Sequence, residues 1–270
     1  MLSSERWYTG RESIHKAGDR RMRKKPFIAG IHNYCDRRCE RCDSADRCRL
    51  YTEIERAGRR HNRRGEDPND PDVAIEDASR ALERARRLIA RGAKRMGIDL
   101  NEIARQAARG PAADRSMIEE HPLALEGMSY FECGQELVKA VGEEISMTRE
   151  DIGRRSRFMD VKGEAEELAK VSEAVDVLGW DISLVAVKIQ RALAGLFRNG
   201  EDAADEDEFH LQDARATAAL VLSCLDRDKR ALLAIYDWSQ DHRDKALDLL
   251  AKTERIGRIL KQVVPASAQC

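Results

Sequence analysis

The chain has 270 residues, of which 42% are hydrophobic and 36% charged, and its formal net charge is −1. This length is sufficient for a sizeable hydrophobic core, and a composition rich in Ala, Leu, Glu and Arg with few aromatic residues favours helices over sheet. No apolar run reaches the roughly 20 residues that span a membrane, and the first residues contain no apolar signal-peptide core. We therefore expect a cytoplasmic protein with no membrane partner, in which thiols stay reduced.

Positive charge is concentrated at the N-terminal end of the chain. Residues 1–64 contain 18 Lys and Arg and nine Asp and Glu, whereas the remaining residues contain 30 and 40. A basic segment of this kind either attracts a polyanion such as nucleic acid or contacts the acidic part of its own chain. The sequence leaves both interpretations open.

The order of segments along the chain predicts a small head followed by a helical bundle. Residues 1–30 are expected to form a flexible basic arm, and residues 31–56 a metal-binding head. Residues 57–72 have the composition of a linker, because Gly, Asn, Asp and Pro occur there without apolar periodicity. Residues 73–264 repeat apolar positions at three- and four-residue steps, and residues 265–270 form a tail. The predicted fold is therefore all-α, a helical bundle with short connections.

The first helix of this predicted bundle has a clear start signal. Asp70 is expected to cap it, with Pro71 at the first helical position. An apolar stripe runs along the helix opposite a face rich in Arg and Glu, and it consists of Val73, Ala74, Ala81, Leu82, Ala85, Leu88 and Ile89. An amphipathic stripe of this kind normally packs against a core.

The stretch HNYCDRRCERCDSADRCRLY, residues 32–51, holds four of the seven cysteines. Their spacing is C-x3-C-x2-C-x5-C, and reduced thiols this close together are typical of metal ligands. Thiolate sulfur suits both zinc and iron–sulfur clusters. Because all four thiols lie in one short loop and not in two separated pairs, we favour a [4Fe–4S] cluster, with zinc as the alternative. The predicted ligands are Cys35, Cys39, Cys42 and Cys48.

Arginines surround the predicted ligands. Their charge would offset that of the thiolates, and their N–H groups could donate hydrogen bonds to sulfur or contact a docking partner. The residues concerned are Arg37, Arg38, Arg41, Arg47 and Arg49. His32 and His61 are spare nitrogen donors, and we expect both to be plain surface histidines.

Two enzyme families share parts of the cysteine spacing. The last three cysteines resemble the cluster loop of the helix-hairpin-helix DNA glycosylases, and the first three match the spacing of the radical S-adenosylmethionine enzymes. The chain lacks the Gly-rich hairpin of the former, and its helical pattern excludes the β/α barrel that the latter need. Both resemblances therefore concern a cluster-binding loop and not a reaction.

A second pattern, DEFHLQD, presents Asp207, His210 and Asp213 at helical spacing. Carboxylate and histidine side chains that point into a helical bundle hold paired metal ions in some proteins. The predicted bundle, residues 73–264, has no strict Glu-x-x-His motif of the kind those sites use. The alternative interpretation is therefore a solvated acidic loop followed by an ordinary surface carboxylate.

Three stretches together resemble a group of uncharacterised bacterial proteins. Members carry an N-terminal NYCDRWCERC…C motif, a central helix that ends like VKIMRAL, and a C-terminal helical hairpin. The matching stretches here are NYCDRRCERCDSADRC, VKIQRALAGL and DARATAALVLSCLDRDKRAL, the last followed by LDLLAKTERIGRIL. Arg38 stands where the group typically has Trp. The resemblance implies the four-thiol site and the domain organisation, and it carries no reaction with it.

These features lead to three hypotheses about function. The first is an iron–sulfur protein that transfers electrons or senses redox state and docks a protein partner. The second is a zinc-stapled module that binds nucleic acid or protein through its basic head. The third is a metalloenzyme within the helical bundle that uses Asp207, His210 and Asp213.

Overall fold

The computed structural model describes residues 26–67, 70–109, 115–197 and 204–264. All regular structure in these ranges is helical, so the predicted all-α class is confirmed. The α-helices are α1 (Arg49–Arg64), α2 (Pro71–Met96), α3 (Leu100–Arg109), α4 (Arg115–Glu119), α5 (Pro122–Arg155), α6 (Lys162–Leu196), α7 (Ala204–Trp238) and α8 (Arg243–Val263). None of these helices is both long enough and apolar enough to cross a membrane. Residues 1–25 of the predicted arm, and the whole predicted tail, lie outside the described residues.

The chain divides into two units, Met1–Ala108 and Arg109–Cys270. The second unit contains a bundle of its four long helices, in which α6 packs against α5 and α7, and α8 packs against α7 and α5. Short connections join these helices in chain order, which makes sequential neighbours antiparallel. The core of the bundle draws its largest fully buried side chains from all four helices: Leu123, Tyr130, Leu137, Leu178, Ile182, Ile189, Leu193, Leu225, Leu232, Ile235, Leu249 and Ile256.

Two glycines allow α5 and α6 to approach each other closely. A Cβ atom built on Gly127 would lie 2.9 Å from Cδ1 of Ile189, and one on Gly134 would lie 2.9 Å from Cγ2 of Ile182. Contacts this short do not occur between real side chains, because the atoms would overlap. The seven-residue spacing of the glycines places both on the face of α5 that meets α6.

A polar layer crosses the otherwise apolar core. The hydroxyl of Tyr130 donates to Oδ2 of Asp228 at 2.8 Å, and both residues are fully buried. Arg227 donates from Nε and Nη2 to the two carboxylate oxygens of buried Asp181, at 2.9 and 3.1 Å. Burial, followed by the charge of Asp228, raises the pKa of Tyr130 well above its ordinary value, so its hydroxyl remains a donor.

Part of the predicted linker, residues 57–72, is helical in the structure. Helix α1 continues to Arg64 and ends at Gly65, which adopts the left-handed conformation at φ 66°. Residues 57–64 are therefore helical, because their arginines are good helix formers and the stop signal comes only at the glycine. The predicted start of α2 is confirmed: Pro71 is the first helical residue, and Oδ1 of Asp70 accepts from the backbone N–H of Asp72 at 2.8 Å.

The structure groups α2 and most of α3 with the first unit, whereas the sequence pattern had suggested that they belong to the bundle. On α2, Leu82 and Ile89 are 71% and 59% exposed. Among the described side chains of the first unit, the buried hydrophobic ones are Cys48 and Ala93. The helix is amphipathic, but its apolar stripe is exposed in the described structure and does not pack against a core as the sequence pattern predicts.

The close contact between α5 and α6 can be tested by adding a methyl group to Gly134. Gly134→Ala is expected to lower the free energy of unfolding by about 1–3 kcal/mol, because the new Cβ overpacks against Ile182. Gly142→Ala on the same helix is the matched control, because a Cβ there meets open space. The control should raise the free energy of unfolding by up to about 1 kcal/mol through helix propensity. Urea unfolding followed by circular dichroism measures both, and equal effects would contradict the packing described.

Candidate metal centre

The four predicted ligands lie in a loop that is closed at its ends. Residues 26–48 contain three short 3-10 turns, at Ile31–Asn33, Cys39–Arg41 and Ala45–Arg47. The backbone N–H of Ile28 donates to the carbonyl oxygen of Arg47 at 3.0 Å, and Nε of Arg47 donates to the carbonyl oxygen of Pro26 at 3.3 Å. These bonds hold the start and the end of the loop together, so all the thiols belong to one compact segment.

Each cysteine lies at or close to the boundary of a turn. Cys35 lies two residues after the end of the first turn, and its Sγ donates to the carbonyl oxygen of His32 at 3.7 Å. Cys39 begins the second turn, and the N–H of Cys42 closes it by donating to the carbonyl oxygen of Cys39 at 3.3 Å. Cys48 follows the third turn and is the N-cap residue of α1. The second turn thus carries a thiol at each of its ends, and the other two thiols follow the first and third turns.

The thiol of Cys39 lies within electrostatic range of the other three thiols. Burial raises the pKa of the Cys39 thiol, and negative charge at Cys35, Cys48, Cys42 and Glu40 raises it further. The other three thiols therefore lie close enough to Cys39 for their charges to act on it. Across the described ranges, no three His, Cys, Asp or Glu side chains are already placed to hold a metal ion. The thiols are thus close together without forming a finished ligand set.

The residues present fit a thiophilic metal. Four thiolates held close together repel one another, and a shared cation removes that repulsion. The loop also lacks a hydrophobic core of its own, because Cys48 is its one buried hydrophobic residue in the described range 26–48. Small segments without a core are commonly stabilised by a bound metal, whose binding energy becomes folding energy. Both zinc and a [4Fe–4S] cluster accept a four-cysteine donor set.

Two of the five predicted arginine contacts have structural roles. Arg47 closes the loop through its bond to Pro26. Arg49 begins α1, and its Nε donates to Oε1 of Glu53 at 3.3 Å in an exposed ion pair one turn along the helix. Such exposed pairs contribute little to stability. Arg47 is thus a loop-closing residue, whereas Arg49 forms an exposed ion pair with Glu53.

The other three predicted arginines stand between the first and third cysteines. Arg37 is exposed and has a left-handed backbone at φ 58°, which is unusual for a residue other than glycine. The next residue, Arg38, is partly exposed, and its backbone N–H donates to Oδ1 of Asp36 at 3.1 Å. Arg41 is exposed. The sharp turn at Arg37 therefore displays cationic side chains beside Cys35 and Cys39.

The structure corrects the expectation that His61 is a plain surface residue. Its side chain lies 4% exposed near the end of α1, with Nδ1 2.9 Å from Oε2 of Glu66 and Nε2 2.8 Å from Oδ2 of Asp77. Both ring nitrogens face carboxylates, so the doubly protonated imidazolium donates both bonds. The hydrogen bonds to Glu66 and Asp77 raise the pKa of His61. This ion-paired group, which we call the His61 clamp, ties α1 to α2.

The second predicted site is not assembled in the described residues. The side chain of Asp207 lies outside them, and His210 is partly buried on α7. Asp213 accepts from Nε and Nη2 of Arg191 at 3.1 and 2.6 Å, which joins α7 to α6. A guanidinium therefore already neutralises this carboxylate. The arrangement is that of an interhelical ion pair and not of a metal ligand.

Comparisons with known proteins found no matching family model, no similar curated protein and no similar solved structure. A metal centre is therefore inferred from the four thiols of this chain and from the loop that holds them.

The His61 clamp should make the junction of α1 and α2 sensitive to pH. Because folding raises the pKa of His61, the clamp stabilises the junction fully below the unfolded-state pKa of about 6.5, and this is lost as pH rises through the folded-state pKa. Hydrogen exchange of residues 61–77, corrected for intrinsic rates, is expected to show protection that falls in this direction. Arg64 and Arg80 also face the clamp carboxylates, but they keep their charge over this range.

The control for this pH dependence is His61→Gln. Its side chain does not titrate, so the protection should be lower at low pH and should lose its dependence on pH. Wild-type protection that stayed level or increased from pH of about 6 to about 9 would contradict the clamp.

Proposed function

We propose that the head, residues 31–56, binds a [4Fe–4S] cluster through Cys35, Cys39, Cys42 and Cys48. The protein would then transfer electrons or sense redox state through a docking partner. The supporting observation is the proximity of four thiols in a closed loop that has almost no buried apolar side chain. Such a segment gains both its fold and its chemistry from one metal centre.

The form of the loop favours a cluster over zinc. Zinc fingers and ribbons commonly present two pairs of ligands separated by regular structure. Here short 3-10 turns alone connect the thiols, and regular helix begins only after Cys48. A single winding segment is well suited to surround a cubane. Four cysteine ligands would leave no iron open to a substrate, which favours electron transfer or sensing over catalysis at the metal.

The surroundings of the loop suit a protein that docks transiently. Cys35, Cys39 and Cys42 are partly exposed, and Arg37 and Arg41 are exposed beside them. Redox partners typically meet through small contact areas, and complementary charge accelerates their encounter. The partner proposed is therefore a protein with an acidic patch around its own redox centre.

Metal and sulfide analysis of protein purified without oxygen tests the cluster. We expect about four iron and four acid-labile sulfide per chain, and visible absorption that dithionite bleaches. Cys35→Ser, Cys39→Ser, Cys42→Ser and Cys48→Ser should each reduce the bound iron strongly, because a ligand is lost. Cys133→Ser is the matched control, since this partly buried cysteine lies on α5, and its iron content should equal that of the wild type.

The outcomes separate the two metal assignments. Absence of both iron and sulfide from anaerobic protein would overturn the cluster. One zinc per chain, lost in the same four serine variants and retained in Cys133→Ser, would support the second candidate function instead.

That second candidate is a zinc-stapled module that binds nucleic acid. The observation that favours it is the basic end of α1, where arginine is the commonest residue. The exposed arginines of this helix end are Arg56, Arg59, Arg63 and Arg64. Such a helix end could contact several phosphates at once. A metalloenzyme built on Asp207, His210 and Asp213 is not proposed, because Arg191 already neutralises Asp213.

Salt dependence tests this second candidate. If α1 contacts phosphates, the affinity for a duplex or single-stranded oligonucleotide should fall steeply between about 50 and 200 mM salt, because bound counterions are released. The double variant Arg59→Glu and Arg63→Glu should weaken binding and reduce that slope. Arg154→Glu, an exposed helical arginine of the second unit, is the control and should change neither. Affinity that is absent, or that does not change with salt, would exclude this function.

A further inference from the structure

The apolar face of α2 repeats with the period of a coiled coil. Large side chains recur at every seventh position, and they are 65%, 71%, 59% and 69% exposed, in the order Ile75, Leu82, Ile89 and Met96. Small residues occupy the alternate seam positions, namely Ala78, Ala85 and Gly92. Three successive heptads of this pattern are characteristic of a helix that pairs with another helix.

The charges of α2 indicate the nature of that partner. Residues 71–83 contain four acidic side chains and one basic side chain, whereas residues 84–96 contain six basic side chains and no acidic one. An identical helix that runs antiparallel brings each acidic half against a basic half. A parallel copy would bring the two strongly basic halves together. Charge complementarity therefore favours a second copy of this helix in antiparallel orientation.

The sizes of the seam residues lead to the same arrangement. When two copies of α2 run antiparallel around a two-fold axis between residues 83 and 84, each large residue lies opposite a small one. In that register Leu82 faces Ala85 of the second copy, and Ile75 faces its Gly92. The same register sets Ile89 opposite Ala78 and Met96 opposite Pro71. A parallel pair would instead set large residues against large ones and small against small.

Gly92 is compatible with this register. Glycine weakens the interior of a helix unless its small size is used. A Cβ on Gly92 would meet open space within its own chain, so no contact in the described structure requires a glycine. In the antiparallel register the absence of a side chain at Gly92 leaves room for the large Ile75 side chain of the second helix.

We propose that the protein forms a homodimer in which α2 pairs antiparallel with α2 of a second copy. The 26 residues of α2 give a seam about 39 Å long. This interface is separate from the thiols, so dimerisation does not depend on the proposed metal. It would also bury an apolar face of α2 that is exposed among the described residues.

Sedimentation of the full-length chain over a dilution series tests the dimer. Leu82→Lys should raise the dissociation constant by about 100-fold or more, because each dimer loses two buried leucines and gains two charges in the seam. The variant should still fold, since Leu82 is 71% exposed in the single chain. Ala90→Lys adds the same charge on the exposed polar face of α2 and should leave the dissociation constant unchanged.

A second variant tests the orientation. Glu76→Lys combined with Glu83→Lys changes the net charge of residues 71–83 from −3 to +1, and in an antiparallel pair this should weaken the dimer at least about tenfold at low salt. In a parallel pair the same change removes repulsion between acidic halves, so an equal or tighter dimer would overturn the antiparallel assignment. Circular dichroism checks that the helix content of the variant is retained.

Two results would overturn the homodimer itself. One is a wild-type chain that remains monomeric up to about 0.1 mM. The other is a monomeric chain whose thermal stability falls with Leu82→Lys but not with Ala90→Lys, which would mean that the apolar face packs within its own chain.

Discussion

Buried apolar side chains are concentrated in helices α5–α8 and are scarce in the described part of the first unit. The way in which the first unit is held together follows from this difference. The bundle core draws on all four long helices. Apolar burial is the main favourable term in folding, so this unit has a strong internal reason to hold its shape. The first unit contributes Cys48 and Ala93 as its buried hydrophobic residues within the described ranges. It must therefore be stabilised chiefly by other interactions.

The first unit uses polar contacts where the second uses apolar ones. Its loop is closed by one backbone bond and one side-chain bond of Arg47, and its two longest helices are joined by the His61 clamp. Contacts of this kind are directional but individually modest in strength. A bound metal and a paired helix would each add a large stabilising contribution that the polar contacts do not provide and that does not need a core. The metal and the paired helix would thus both compensate for the missing core, at different places in the unit.

Within the bundle, a few polar and small residues determine which helices meet and in which register. Gly127 and Gly134 permit α6 to approach α5 at one face only. The buried bonds Tyr130–Asp228 and Arg227–Asp181 connect α5 to α7 and α7 to α6. Buried charges rarely add stability relative to apolar residues, but they disfavour any packing that leaves them unpaired. The apolar side chains therefore drive assembly, while these few groups select a single arrangement.

The features that could be predicted from the sequence are those encoded locally. Apolar spacing identified the helices, and Asp70 followed by Pro71 marked the start of α2, because a cap and its helix are adjacent in the chain. The His61 clamp could not be predicted in the same way, since Asp77 lies 16 residues away and the intervening chain reads as a linker. The pairing of Asp213 with Arg191 also depends on how two helices meet. The proximity of the four thiols was predictable from their spacing, whereas the closure of their loop was not.

The position of Cys48 has a consequence for how the head could communicate. Its carbonyl oxygen accepts from both the backbone N–H and Oγ1 of Thr52, at 3.1 and 3.0 Å, so this residue is part of the first turn of α1. The other end of α1 carries His61. A helix of 16 residues is a stiff rod about 24 Å long, and it joins a thiol at one end to an ion-paired histidine at the other. A displacement of Cys48 would therefore move α1 as a rigid body. His61 would transmit this movement to the N-terminal turns of α2 through its bond to Asp77.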